Sequence, residues 1–183
     1  MRYLYLVICI LILLVTVNGC LTYAKVHYKI HFSDDFSQGT IKVIFENLRS
    51  TEEPEEKRRS DFADLLEMLE GDDFLLDTME EGIYIKDRKL FTSLNMIVGE
   101  YNGVFRSLKL DDKTHQVGKN ERMIILEKDD GDTIESNGTV VESEENFIIT
   151  WPKEEKDLSI TIIKGFKDKT YSMLDYYHEW SKN

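Results

Sequence analysis

The sequence predicts an α+β fold, a mostly antiparallel, meandering sheet with helices packed on one face. Three observations predict it. Short apolar runs of period two recur along the chain, and only two segments carry the i, i+3, i+4, i+7 spacing of an amphipathic helix. Strands do not alternate with long helices, as a parallel doubly wound sheet would require.

The first strand is read at residues 25–32, where Val26, Tyr28, Ile30 and Phe32 alternate with Lys25, His27, Lys29 and His31. Residues 33–39 carry turn chemistry, with Gly39 available for a positive φ. Residues 40–48 form a second strand with Ile41, Val43 and Phe45 on one face, giving a hairpin with one wet face. Residues 49–59 read as a charged, solvated loop running into a helix. Ser60 is its expected N-cap, Asp61 lies in its first turn, and Phe62, Leu65, Leu66 and Leu69 form its apolar stripe. Gly71 can end it.

From Phe74 to Leu110 the helical signal fades. Residues 82–85 and 90–98 read as strands joined by a turn at Asp87-Arg88-Lys89, and residues 101–108 as another strand. A short strand at residues 123–126 precedes the acidic turn Asp129-Asp130-Gly131-Asp132. Residues 147–151 end at Pro152, which cannot donate to a ladder. Leu158, Ile160 and Ile162 alternate with polar residues, and Met173, Tyr176, Tyr177 and Trp180 make the second helical stripe. There is no internal repeat and no domain boundary within the body.

Composition bounds the function. The 183 residues are 42% hydrophobic and 32% charged, with two cysteines, two prolines and a net charge of -12. Collagen, disulfide-stapled miniproteins and polytopic membrane proteins are excluded. The acidic excess argues against nucleic acid as a partner, because neutralising phosphates needs clustered Lys and Arg.

Residues 1–19 differ from the rest. Arg2 is their only charge, an apolar block runs from Leu4 to Val15, and Asn18-Gly19 follow. This is the pattern of a signal peptide, and the run is shorter than the roughly 20 apolar residues a membrane span needs. Val17-Asn18-Gly19-Cys20 resembles a bacterial lipobox, with Val17 and Asn18 looser than the common residues. Cys9 lies in the segment to be removed, so Cys20 would be the one cysteine of the mature chain, and no internal disulfide could form. Lipidation of Cys20, with two or three acyl chains, accounts for that unpaired cysteine. The alternatives are ordinary cleavage leaving a free thiol, or a secreted eukaryotic or viral protein with Asn137 as a glycan acceptor. Residues 20–183 are then one extracytoplasmic domain, one charge more negative than the whole chain. The charge does not favour docking on anionic headgroups, so the acyl chains must hold it, through a few flexible residues before the first strand.

Catalytic motifs are sparse. The sequence has no nucleophile elbow, P-loop or dinucleotide fingerprint. His27 and His31 are four apart in a strand, roughly 13 Å, too far to share an ion. His115 and His178 stand alone. The acidic turn at residues 129–132 lacks EF-hand spacing and reads as solvated. No catalytic residue, metal or cofactor is expected. Tyr176, Tyr177 and Trp180 read first as a core stripe that docks the last helix, and secondly as the lining of a groove for an acyl chain, glycan or partner.

Ile134-Glu135-Ser136-Asn137-Gly138-Thr139, read as a type I′ hairpin turn, and the strand Phe147-Ile148-Ile149-Thr150-Trp151 give a resemblance. Together with the strand, turn and strand soon after Cys20, they resemble bacterial envelope lipoproteins of the LppM-like kind, over most of residues 20–165. Mycobacterial members carry a further transmembrane helix, where this chain has an amphipathic one. The resemblance implies an α+β module of the cell envelope concerned with lipid or glycolipid, and brings no catalytic residues.

The expected function is therefore a non-enzymatic, membrane-anchored envelope lipoprotein that binds or organises an envelope lipid, glycolipid or partner protein. The alternative is a soluble exported protein holding a hydrophobic ligand between sheet and helices. A carboxylate hydrolase is a third class, for which no residue constellation can be assembled.

Overall fold

The computed structural model describes residues 21–80, 82–106, 115–117, 121–165 and 169–182. In chain order the elements are β1 (Leu21–Thr22), β2 (Lys25–Phe32), β3 (Gln38–Glu46), β4 (Arg49–Ser50), α1 (Glu55–Glu70) and α2 (Asp73–Glu80). Then come β5 (Ile83–Ser93), β6 (Met96–Arg106), β7 (His115–Val117), β8 (Glu121–Glu127), β9 (Thr133–Ser136) and β10 (Thr139–Glu142). β11 (Asn146–Pro152), β12 (Asp157–Ile163), β13 (Tyr171–Ser172) and α3 (Leu174–Trp180) complete the set. The fold is α+β. A six-stranded sheet, β5-β6-β3-β2-β12-β9, is joined by a four-stranded sheet, β10-β11-β8-β7, and a small one, β1-β4-β13.

One face of the six-stranded sheet is the core. Val26, Tyr28, Ile30 and Phe32 of β2 sit beside Ile41, Val43 and Phe45 of β3 and Leu158 and Ile160 of β12, all buried. The helices cover the β5–β6 side of this face, where Phe74 of α2 packs edge-on against Tyr101 at 5.6 Å. The four-stranded sheet contributes Ile124, Leu126, Phe147, Ile149 and Trp151 to the same core. Burial of so many branched and aromatic side chains is the main source of stability.

Several local expectations are corrected. β1 begins at Leu21, paired with Ser50, and Tyr23 is buried, so no flexible spacer follows residue 20. α1 starts at Glu55 after Pro54 rather than at Ser60. Proline suits a helix start, and Glu55 and Glu56 complement the dipole there. Asp61 is buried and accepts the Ser50 hydroxyl at 2.5 Å, which ties α1 to β4 within the segment read as a solvated loop. α2 has only eight residues, too short for its period to stand out in the sequence.

Asp87-Arg88-Lys89 is not a turn but the middle of β5. Arg88 explains why the charge there is tolerated: its Nη1 donates to the carbonyls of Met68 and Gly71, both at 2.8 Å, at a helix end with no basic residue of its own. The reversal instead falls at Leu94 (φ 51) and Asn95 (φ 60) between Ser93 and Met96, the two positive φ values of a type I′ hairpin. Gly39 is paired in β3, and Phe36 takes the positive φ of the first turn. At Asn137-Gly138 the chain passes from the six-stranded sheet to the four-stranded sheet, and Gly138 does not have a positive φ.

Candidate functional site

The opposite face of the six-stranded sheet is polar and open. Across it, register sets Asp87, Asn102, Lys42, Lys29 and Ser159 in one row, and Thr40, His31 and Asp157 in the next. A groove of about 590 Å³ runs over these rows, lined by Lys29, His31, Lys42, Lys86, Asn102 and Asn137 among others. The alternation of β2 and β3 puts the basic residues here, because their apolar neighbours are taken by the core.

Lys29 and Lys42 stand directly opposite each other, an arrangement that is destabilising between like charges. Only Lys42 is neutralised, by Glu100 at 2.8 Å. That hydrogen bond holds the Glu100 carboxyl below its ordinary pKa. Lys29 and Lys86 have no ion-pair partner among the described residues, and both are exposed. Lys86 lies at a register shift between Ile85 and Asp87. Bulges of this kind re-aim side chains, and this one sets Lys86 at the groove rather than in the regular alternation.

The far wall is held by hydrogen bonds. His31 Nδ1 lies 2.7 Å from Asp157 Oδ1, and Asn137 Nδ2 donates to the Asp157 carbonyl at 2.6 Å. The Asn137 Oδ1 accepts from Trp151 Nε1 at 2.8 Å and from the Ser159 amide at 2.9 Å. The groove thus combines point charges with amide side chains on a rigid sheet, a surface suited to a polar anionic ligand.

His27 faces the same side but engages Thr161 at 2.9 Å and Glu46 at 3.1 Å, partners distinct from those of His31. Among the described residues no group of three or more His, Cys, Asp or Glu is placed to hold a metal ion. The acidic turn at residues 129–132 is more than a solvated loop. Asp132 is buried, and Lys164 bridges Asp129 at 2.7 Å and Asp132 at 2.8 Å. Burial works against the Lys164 charge, but these two hydrogen bonds, with the attraction of the surrounding negative groups, raise its pKa.

Tyr176 is buried against Phe62, its hydroxyl donates to the Glu55 carbonyl at 3.3 Å, and Arg59 lies over its ring. Tyr177 and Trp180 pack on each other at 5.7 Å and against the core. The three aromatics dock α3, and they lie apart from the groove. Between helices and sheet the described space is occupied by Phe62, Leu65, Phe74 and Tyr101. Cys20 and residues 1–19 lie outside the described residues. No described helix is long and apolar enough to cross a membrane.

Sequence reasoning singled out none of the groove lysines. The available signal was the gathering of Lys25, Lys29 and Lys42 on the wet positions of two strands in an acidic chain. Comparison with known protein families, curated proteins and solved structures finds no match.

Proposed function

We propose that the protein is a non-enzymatic lipoprotein of the bacterial cell envelope, anchored through acyl chains on Cys20, whose polar sheet face binds an anionic headgroup or glycolipid. One observation carries the ligand class: in a chain of net charge -12, Lys29 and Lys86 stand at a groove with Lys42 and His31 and have no ion-pair partner among the described residues. A protein with a large excess of acids has carboxylates to spare for ion pairing, yet these two amines have none among the described residues. An anionic ligand would relieve the Lys29–Lys42 repulsion. The apolar leader followed by a single cysteine supports the anchor.

Two measurements test the two halves. Metabolic labelling with palmitate should mark the wild type and not Cys20→Ala, and the variant should leave the detergent phase; equal labelling would sink the anchor. For the ligand, NMR titration with inorganic polyphosphate should shift resonances along β2, β3 and β5. Reversing one charge about 4 Å from an anion changes the interaction by about 2 kcal/mol even in water, more than tenfold in affinity. Lys29→Glu and Lys86→Glu should each show that loss, with Lys153→Glu, exposed and away from the groove, binding as wild type. Wild-type affinity in both groove variants would overturn the ligand class.

A further inference from the structure

The β5–β6 hairpin tip carries a costly choice. Leu94 is 88% exposed and holds φ 51, a conformation that Gly or Asn adopts freely and that costs other side chains on the order of 1 kcal/mol. Strain kept in an exposed residue points to use. Phe91, three residues back, is 37% exposed. Residues 90–99 contain no charged side chain, the longest such run after residue 20 in a chain that is 32% charged.

Register places this tip in the molecule. Phe91 pairs with Val98, Val98 with Glu46 and Glu46 with Lys25, so the distal half of the hairpin lies at the end of the sheet where β2 begins. That is also the end where the chain arrives from residue 20. Leu21 is paired with Ser50, the Ala24 amide donates to the Glu46 carbonyl at 2.9 Å, and Leu48 donates to Ile97 at 3.0 Å. On the anchored reading, the lipidated residue directly precedes Leu21 in the chain, so the bilayer lies at this end of the sheet. The hairpin projects beyond the Glu46–Val98 rung by a few residues of about 3.4 Å each, roughly 10 Å, comparable with the depth of the headgroup region.

We propose that the Leu94 tip, with Phe91 behind it, seats in the acyl–headgroup boundary of the bilayer that anchors the chain, and so fixes the orientation of the domain. This rests on the anchored reading above. The contact is apolar, and Asp129 and Asp132, paired with Lys164 beyond β12, take no part in it.

The experiment uses the full lipidated chain in phosphatidylcholine vesicles, with an environment-sensitive fluorophore on Leu94→Cys or, at the opposite end of the sheet, on Lys153→Cys. Brominated acyl chains should quench the probe at position 94 several-fold more than the probe at position 153. Equal quenching overturns the hairpin contact. Flotation of unlabelled wild type with the same vesicles reads the anchor separately: flotation with an unquenched probe at 94 removes only the hairpin contact, whereas failure to float removes both readings. Leu94→Asn, which suits the left-handed backbone, should melt no lower than wild type. A fall in its melting temperature would mean that Leu94 serves the fold rather than the membrane.

Discussion

Gly138→Val should lower stability by about 3 kcal/mol, near 10 °C in melting temperature for a domain of this size. A Cβ on Gly138 would stand 2.6 Å from the indole Cε2 of Trp151 and 2.7 Å from both Trp151 Nε1 and the Thr150 carbonyl. Trp151 is 2% exposed and among the largest fully buried side chains, so the ring has no free space to move into. Its Nε1 is also held by Asn137, which would lose that bond if the ring shifted. Gly138→Asn distinguishes this cause from a turn preference. At a type I′ hairpin Asn is welcome, but at a crowded corner its Cβ meets the same indole. Thermal unfolding followed by circular dichroism should show a large loss for both variants. A Gly138→Asn protein melting within about 2 °C of wild type would restore the hairpin reading.

That corner shows where sequence was informative and where it was not. β2, β3, β11 and β12 were legible because each has one wet and one buried face, and period two survives in their residues. Positions 90–98 read as one strand because their type I′ turn has Leu, not Gly or Asp, before Asn95, so composition gave no break. Asp87-Arg88-Lys89 read as a turn because three charges in succession usually lie in solvent. Here Arg88 reaches across to the end of α1, a tertiary partner that no local pattern encodes. Asn137-Gly138 was recognised as a special place for a different reason from the one that applies. The amide of Asn137 stitches two strands together, and the glycine makes room for an indole thirteen residues away.

The groove was less legible than the fold. Its walls come from β2, β3, β5, β6 and β12, and only the sheet order brings them side by side. Lys86 reaches it through a register shift, which the period of β5 hides. Tyr176, Tyr177 and Trp180 of α3 pack toward the core, because a helix with apolar residues at that spacing must bury them somewhere. The groove also lies some way along the strands from the end where the chain enters. Lys29 and His31 are four and six residues beyond Lys25, roughly 13 to 20 Å. On the anchored reading, a ligand there is held outward from the bilayer that carries the protein.

Arg122→Glu should be the most damaging single change in the described core, costing about 4 kcal/mol or more. Arg122 is 4% exposed, its guanidinium lies 3.8 Å from the Phe36 ring centre and 4.4 Å from that of Phe32, and its Nη1 has no hydrogen-bond partner among the described residues. Burial lowers its pKa, opposed by the charge of Glu154. Removing a cation from water costs several kcal/mol, and each desolvated ring face returns about 2, so the charge is close to neutral in stability. Arg122→Met keeps the stem and adds a thioether near the rings, and should leave stability within about 1 kcal/mol of wild type. The carboxylate of Arg122→Glu would instead meet the negative faces of two rings. Its folded pKa would therefore rise above its unfolded value near 4.3, so the loss is full at neutral pH and shrinks as pH falls through the raised value toward that of the unfolded chain. Denaturant unfolding between pH 4 and pH 7 should show the variant recovering relative to wild type on acidification. A loss independent of pH would mean that shape, not charge, decides what this site between Phe32 and Phe36 accepts.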